Sequence, residues 1–304
     1  MIEIDGNYLE GGGQILRTSL ALSAVTGKHV HITNIRKGRK NPGLQVQHLE
    51  AVNSMKTLCN ADVSGASLHS TELTFIPHAI SSGRVEIKIP TAGSTGLVLQ
   101  SIMIAAVHAE KKVSIDIKGG ATNGKWAMPM NYAKHVLLPL LEKMGYDAKI
   151  DIMKYGYYPR GGAEVKVEIN PAKLAPIELV ERGDVASIEG ISHASEMLKD
   201  KSVAERQAKS AAEIIEKYTG IKTKINILYP DTLNPGSAIE LFAKTEKSVL
   251  GSDNLGEIRK KAEDVGKEAA QKLVEEIKSG ACVDEHAADQ LLPYMALAAE
   301  KGPV

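Results

Sequence analysis

Apolar residues in this chain follow two different spacings, and the switch between them predicts a fold of strands and helices. Short stretches in which every second residue is apolar are typical of half-buried strands. Longer stretches with apolar residues three and four apart predict helices. In the first ninety residues these patterns predict strands at 1–4, 29–35, 73–76 and 85–89 and helices at 14–25 and 43–58. The order is therefore strand, helix, strand, helix, strand, strand.

Two landmarks recur at almost the same distance, which indicates a duplicated unit. Gln14 follows a glycine turn and precedes an apolar helix, and Gln100 does the same 86 positions later. Pro42 and Pro129, each directly before a further predicted helix, are 87 positions apart. Agreement of two independent spacings favours an internal repeat. The second unit is predicted to have strands at 113–117, 148–153 and 163–169 and its second helix at 130–144.

A third glutamine before an apolar helix, Gln290, lies 190 positions after Gln100. This distance exceeds one period by 104 positions and predicts an inserted domain. Within the insert the pattern predicts strands at 185–191, 222–229 and 239–243 and helices at 202–218 and 254–278.

We therefore predict an α/β (α+β) fold in which repeated βαβαββ units form a large domain, residues 1–183 and 280–304. A small α/β domain, residues 184–279, is inserted in the third repeat. Only the first half of that repeat precedes Val304, so we expect its second helix to be missing from this chain.

Composition excludes several classes of protein. The chain has 304 residues, 43% of them hydrophobic, which suffices for a sizeable core. Its 37 basic and 37 acidic residues cancel, so any contact with nucleic acid has to come from a local patch. Two distant cysteines form neither a disulfide framework nor a zinc site. Without a signal peptide or a long apolar run, we expect a cytoplasmic protein that does not contact a membrane.

The most informative motif is Glu10-Gly-Gly-Gly-Gln14-Ile-Leu-Arg17. Three glycines allow the backbone to approach an anion, and a helix that begins at Gln14 would direct its N-terminal amides at the same place. Gln14 and Arg17 would then lie on one helix face, with a carboxylate beside them that can bind a metal. The alternative is a turn whose glycines serve geometry alone.

Two other segments carry candidate chemistry. Arg36 and Arg39 belong to a basic turn before Pro42 and could hold one phosphate together, although most charge runs are solvated surface. His286 and Asp289 lie three positions apart at the start of the third predicted helix, beside Gln290. If the three repeats are equivalent, their glutamine-bearing turns converge on a common cleft.

These motifs closely resemble those of the RNA 3′-terminal phosphate cyclases. The resemblance rests on the glycine motif, on Arg36-x-x-Arg39-x-x-Pro-Gly-Leu-x-x-Gln47-His-Leu, on Gly93-Ser-x-x-Leu-Val-Leu-Gln100, on Tyr155-Gly-x-Tyr-Pro-x-Gly-Gly and on Asp289-Gln-Leu. It extends over essentially the whole chain. It implies an enzyme that uses ATP and a divalent metal, Mg²⁺ or Mn²⁺, to convert an RNA 3′-phosphate end into a 2′,3′-cyclic phosphate. In the family a histidine is first adenylated, AMP passes to the RNA phosphate, and the 2′-hydroxyl expels it.

The resemblance also implies roles for individual residues. Glu10 would bind the metal, and ATP phosphates or the RNA end would be held by Arg17, Arg36, Arg39 and Gln47. The ATP site would be lined by Gln14, Gln100, Met128, Pro129, His286, Asp289 and Gln290.

The chain departs from the family pattern at three places. Met128 replaces the first of two prolines near the adenine, and His286 replaces a tyrosine, so we interpret His286 as an adenine contact. The nucleophilic histidine of the family belongs to a C-terminal segment beyond Asp289, and no residue here is assigned that role.

Two alternatives stay open. Non-catalytic cyclase-like RNA-binding proteins of ribosome biogenesis share the fold, and enolpyruvyl transferases repeat a similar unit six times in two halves. The sequence leaves open the preferred metal, the RNA substrate, the role of the insert and whether the protein forms a homodimer.

Overall fold

The computed structural model describes residues 1–299, which form a mixed α/β protein with three four-stranded sheets and eight α-helices. The strands are β1 Ile2–Asp5, β2 Val30–Thr33, β3 Asp62–Ser64, β4 Leu73–Ile76, β5 Gly83–Ser94, β6 Val113–Ala121, β7 Asp147–Lys154, β8 Glu164–Asn170, β9 Val185–Ala194, β10 Thr223–Leu228, β11 Ser237–Thr245 and β12 Val249–Leu255. The helices are α1 Gly13–Thr26, α2 Val46–Cys59, α3 Thr95–Ala106, α4 Met130–Tyr132, α5 Leu138–Glu142, α6 Val203–Thr219, α7 Ala262–Ser279 and α8 Glu285–Ala298. A π-helical turn, Ala133–Leu137, joins α4 to α5.

The first two sheets have the same topology, which confirms the repeat. Their strand orders are β1-β2-β4-β3 and β5-β6-β8-β7. In each, the first two strands are parallel and the last two return antiparallel. A helix connects each parallel pair, because parallel neighbours need a crossover connection. The predicted α/β fold class is therefore correct.

One strand assignment was wrong. The stretch 85–89 does not close the first repeat but lies in β5, which opens the second repeat beside β6. The strand that closes the first sheet, on the side of β4 away from β2, is β3, Asp62–Ser64, which has only three residues. Three residues are too few to show a period of two, so this strand left no signal in the sequence.

The helices of the two repeats pack on one another. Leu20 of α1, Met55 of α2 and Ile102 of α3 are fully buried in one apolar core with residues of α8. In this core α1, α3 and α8, one helix from each repeat, lie together.

The insert has its own sheet, in the order β10-β9-β11-β12, with α6 and α7 packed against it. The predicted helix at 254–278 was too long, since Asn254 belongs to β12 and α7 begins at Ala262. The sequence of β12 contains Gly251, Ser252 and Asp253 in a row, so it shows no alternation. The domain limits stay a prediction, and residues 300–304 of the predicted large domain lie outside the described residues.

Buried polar groups attach the insert to the second repeat. The fully buried carboxylate of Glu240 accepts hydrogen bonds from the side-chain amides of Asn123 and Asn131. His193 Nε2 lies 3.2 Å from the same carboxylate, and the Tyr157 hydroxyl lies 2.6 Å from His193 Nδ1. Hydrogen bonds between buried polar groups favour one arrangement of the parts that carry them. This network defines how the insert faces the repeats.

Candidate active site

The glycine turn leads directly into the N-terminus of α1. Gly11 has a positive φ of 56°, which favours glycine, and Gly12 is the N-cap residue without a side chain to cap the helix. A Cβ on Gly13 would lie 2.4 Å from Nε2 of His48, so only glycine fits there. The first turn of α1 contains no acidic residue. Its amide groups and partial positive charge therefore remain available to an anion.

Side chains from α1, α3 and α8 form a hydrogen-bonded chain across the three repeats. Arg17 Nε donates to Gln100 Oε1 at 3.1 Å, and Gln100 Nε2 donates to Gln290 Oε1 at 2.9 Å. Gln14 Nε2 donates to Asp289 Oδ1 at 3.2 Å. The three glutamines singled out by their spacing thus occupy one cluster, because the helices that carry them pack at their N-terminal ends.

The Arg17 guanidinium is buried beside a neutral amide oxygen. Arg17 is 7% exposed, and the Gln100 side chain that accepts its hydrogen bond carries no charge. Burial lowers the pKa of Arg17 to about 10, while the charge of Asp289 acts in the opposite direction. The group still carries its charge near neutral pH. Among residues 1–299, no carboxylate contacts this buried cation. A buried cation of this kind, at a helix N-terminus without an acid, is a preformed binding place for an anion.

The basic turn lies beside the glycine turn. Arg39 Nη2 donates to Glu10 Oε2 at 3.1 Å, in a salt bridge whose Glu10 side chain is 88% exposed. Arg36 Nη1 donates to the carbonyl oxygens of Asn41 and Gly43. Burial and the neighbouring Arg39 charge both lower the pKa of Arg36. An anion between the two arginines would relieve that repulsion.

His48 is a buried imidazole close to the charges of Arg17 and Arg36. Its Nδ1 accepts a hydrogen bond from the backbone N–H of Gln45 at 3.0 Å, which makes Nε2 the protonated nitrogen of the neutral ring. Burial, followed by the charges of Arg36 and Arg17, lowers the pKa of His48 to about 3. The ring is therefore neutral at physiological pH and presents an N–H toward Gly13.

We expect His48 to make the fold sensitive to acid. Because its pKa falls from 6.5 to about 3 on folding, the unfolded chain binds a proton that the folded chain rejects, and stability falls as the pH drops through this interval. Between these two pH values, the free energy of unfolding of His48→Gln, measured by chemical denaturation, should fall by several kcal/mol less than that of the parent protein. The exposed His29→Gln variant is the control for removal of an imidazole. If the free energies of unfolding of the parent protein and His48→Gln differed by the same amount at every pH in this interval, the lowered pKa of His48 would be contradicted.

These groups open into one large cavity of about 1840 Å³ between the repeats and the insert. The predicted residues that line it are Glu10, Gln14, Arg17, Arg36, Arg39 and Gln47. Asp289, Gln290 and Gln100 do not line the cavity themselves but adjoin it through the hydrogen bonds to Gln14 and Arg17.

The other predicted ATP-site residues lie outside the cavity lining. Met128 is half-buried and Pro129 is buried, next to the lining residue Ala127 and at the start of α4. His286 is exposed in the first turn of α8, one turn before Asp289. The structure therefore places none of these three residues in the cavity lining, and Met128 and Pro129 follow directly on a residue that lines it.

Part of the cavity wall was not foreseen from the sequence. It includes Trp126 and Tyr158 on loops of the second repeat and the 255–262 segment of the insert. Two signals were available: Trp126 is the only tryptophan of the chain, and Tyr158 belongs to the motif that begins at Tyr155. The place of Trp126 on the wall depends on how the insert is docked, which no local pattern encodes.

The side chains around Glu10 suit only a metal ion that takes most of its ligands from water and substrate. Within residues 1–299, no group of three or more His, Cys, Asp or Glu side chains is arranged to hold a metal ion. Glu10 offers a single exposed carboxylate. One carboxylate suits Mg²⁺, which keeps water ligands and takes the remaining oxygens from substrate phosphates. The residues thus fit a metal that arrives with a phosphorylated substrate.

Comparison with known proteins assigns this arrangement to a family. A family model described as RNA 3′-terminal phosphate cyclase matches residues 8–304. The chain belongs to this family. The family assignment decides against the enolpyruvyl transferases as the source of the repeated unit.

Relatives that the chain matches over most of their length support the assignment. The chain is 44% identical to the RNA 3′-terminal phosphate cyclase of Methanopyrus kandleri, over 98% of this chain and 86% of the relative. It is 47% identical to the protein of that name from Pyrococcus abyssi, over 97% of this chain and 86% of the relative. The protein of that name from Ignicoccus hospitalis is 46% identical, over 98% of this chain and 85% of the relative.

Across residues 1–299, none of the helices combines the length and apolar character needed to span a membrane. The cytoplasmic location stays a prediction.

Proposed function

We propose that this cyclase family member converts an RNA 3′-phosphate end into a 2′,3′-cyclic phosphate at the expense of ATP. The observation that carries the proposal is the buried Arg17 guanidinium, which lines the cavity at the N-terminus of α1 and is contacted by no carboxylate of the described part of the chain. Such a cation favours a phosphate. The names of the relatives supply the reaction class.

Phosphate groups are held by four side chains that share one wall of the cavity, together with the α1 amides. Those side chains are Arg17, Arg36, Arg39 and Gln47. Planar guanidinium groups bind phosphate oxygens in pairs, and the neutral His48 N–H adds a donor that brings no charge of its own. Several donors fixed before binding stabilise the charge that develops at phosphorus during displacement.

The nucleoside of ATP lies, in this proposal, beside the hydrogen-bonded cluster of the three repeats. Gln14, Gln100, Asp289 and Gln290 offer donors and acceptors at fixed positions. Met128, Pro129 and the exposed His286 ring supply apolar and planar surface at the cavity edge. Purines stack on such flat surfaces.

The reaction proceeds in three displacements. A histidine nucleophile attacks the α-phosphorus of ATP and releases pyrophosphate, and an RNA 3′-phosphate oxygen then takes the AMP. The neighbouring 2′-hydroxyl attacks the activated phosphorus, closes the ring and expels AMP. Covalent catalysis of this kind splits one difficult displacement into easier ones. No residue within 1–299 is assigned as the nucleophile.

An adenylation assay tests the proposal. The protein is incubated with α-labelled ATP and Mg²⁺ or Mn²⁺ and denatured, and covalent label is measured. RNA with a 3′-phosphate is then added, and its ends are tested for resistance to phosphatase. Covalent label followed by resistant ends is expected. RNA binding without either product would instead support the non-catalytic cyclase-like alternative.

We expect Glu10→Gln to weaken the metal dependence of adenylation. The substitution removes the negative charge beside the phosphates but keeps the shape of the side chain, so the Mg²⁺ concentration needed for half-maximal rate should rise roughly tenfold. The matched control is Glu110→Gln, a substitution of an exposed glutamate that follows the C-terminus of α3. A metal titration identical to that of the parent protein would remove Glu10 from the site.

A further inference from the structure

The cavity extends well past the phosphate-binding residues, and its outer part carries exposed aromatic rings. Trp126 is 95% exposed and Tyr158 is 79% exposed, although both line the cavity. Trp126 also has a positive φ of 57°, a backbone conformation that non-glycine residues adopt rarely. Large planar side chains left in water at the mouth of a charged cavity indicate a ligand with flat faces.

The insert faces these rings with a positively charged surface, which we call the insert wall. It comprises the cavity-lining residues at positions 198–207 and 255–265. Five of its members are cationic and one is acidic: Lys201, Arg206, Arg259, Lys260, Lys261 and Glu257. The chain as a whole is neutral, so this charge is a local concentration.

Three cations of the insert wall remain unneutralised by contact. Arg206 is bound through two nitrogens by Glu263, and Lys260 is paired with Glu268. Lys201, Arg259 and Lys261 form no salt bridge with any of residues 1–299. These three side chains are exposed and available to an anionic ligand.

Stacking surfaces opposite a row of free cations match the chemistry of a single nucleic acid strand. Such strands bind through bases stacked on aromatic rings and phosphates tracked by basic side chains. A protein partner would instead favour a contiguous apolar patch with few free charges. The outer cavity is also continuous with the wall that holds Arg17, Arg36 and Arg39.

We propose that the insert wall and the Trp126 and Tyr158 rings form a binding channel for the RNA strand upstream of its 3′ end. This inference rests on the proposed function, which puts the terminal phosphate beside Arg39. Bases stack on the two rings, and the phosphates between them contact Lys201, Arg259 and Lys261. The insert thereby selects RNA ends that are single-stranded over several nucleotides.

Intrinsic fluorescence provides a direct test, because Trp126 is the only tryptophan in the chain. A single-stranded RNA of about ten nucleotides with a 3′-phosphate should quench the emission, since a site of this type covers several nucleotides. A dinucleotide with the same end should quench it far less. Equal quenching by both RNAs, or none by either, would overturn the proposal.

Variants separate stacking from charge. Anisotropy with labelled RNA of about ten nucleotides should show Trp126→Ala raising the Kd roughly tenfold and Trp126→Phe restoring most of the affinity. Replacing Lys201, Arg259 and Lys261 by alanine should reduce the slope of log Kd against log salt by about 2. Lys209→Ala, an exposed lysine of α6 outside the cavity, is the matched control and should leave both quantities unchanged.

The outcomes distinguish the two proposals. Unaltered binding of the longer RNA by Trp126→Ala and by the triple variant, with cyclisation intact, would overturn the channel and leave the proposed function standing. Length-dependent binding that needs Trp126, in a protein that never becomes adenylated, would support the channel and overturn the proposed function. Binding of a protein but of no RNA would overturn the channel.

Discussion

Gly13→Ala should abolish most of the adenylation activity. A methyl group at this position would lie 2.4 Å from His48 Nε2, 2.8 Å from His48 Cδ2 and 2.9 Å from Arg17 Nη1. Contacts this short force the side chains to move. The imidazole has little freedom, because it is buried and held by the Gln45 amide. We expect a loss of more than about a hundredfold in rate from the misplaced phosphate ligands and about 1–3 kcal/mol of stability from overpacking.

The neighbouring glycine offers a matched control. A Cβ on Gly12 would lie 3.6 Å from Arg39 Nη2, which is an ordinary contact, and the backbone there has a φ of −76° that alanine adopts readily. Gly12→Ala should therefore retain most of the activity measured with α-labelled ATP. Equal losses in the two variants would show that any substitution in the turn is harmful and that the fit against His48 has no special part.

Arg17→Met should reduce ATP binding and adenylation by about a thousandfold, since it removes the buried cation that we propose binds the phosphates. Its effect on stability should be small, and thermal unfolding should show a change within about 1 kcal/mol. Removing the guanidinium relieves the cost of burying its charge, and this gain offsets the donor that Gln100 loses. Calorimetric titration with ATP measures the first effect independently of catalysis.

Arg17→Lys separates charge from geometry. Lysine keeps the positive charge but cannot donate from a planar fork, so we expect it to recover only part of the lost affinity. Full recovery would indicate that charge alone matters at this position. An ATP affinity of Arg17→Met equal to that of the parent protein would contradict the phosphate-binding role, whatever its stability.

Much of the architecture could be predicted from short patterns. The spacing of Gln14, Gln100 and Gln290 revealed the repeats and the insert, because a duplicated unit repeats its landmarks along the chain. The long helices carried enough turns to show their period. Elements without such a signal were missed, as with the three-residue β3 and the polar β12. Their strand character depends on pairing with β4 and β11, which lie elsewhere in the sequence.

The candidate site also has features that the sequence shows directly and features that depend on tertiary packing. The glycine turn and the basic turn were recognisable because their chemistry is contained in consecutive residues. The neutral state of His48 was not, since its pKa depends on burial and on charges that α1 and the basic turn bring to it.

Residue types and their spacing were therefore sufficient to establish the α/β class, the repeated unit and the family resemblance, whereas the phosphate-binding residues stay a prediction. Packing between distant elements decided the rest. It joined Arg17, Gln100 and Gln290 into one chain of hydrogen bonds and docked the insert through Glu240. It also placed Trp126 opposite a basic surface. The physical reason is that burial, electrostatic fields and cavity walls are sums over neighbours in space, and a linear pattern records neighbours only along the chain.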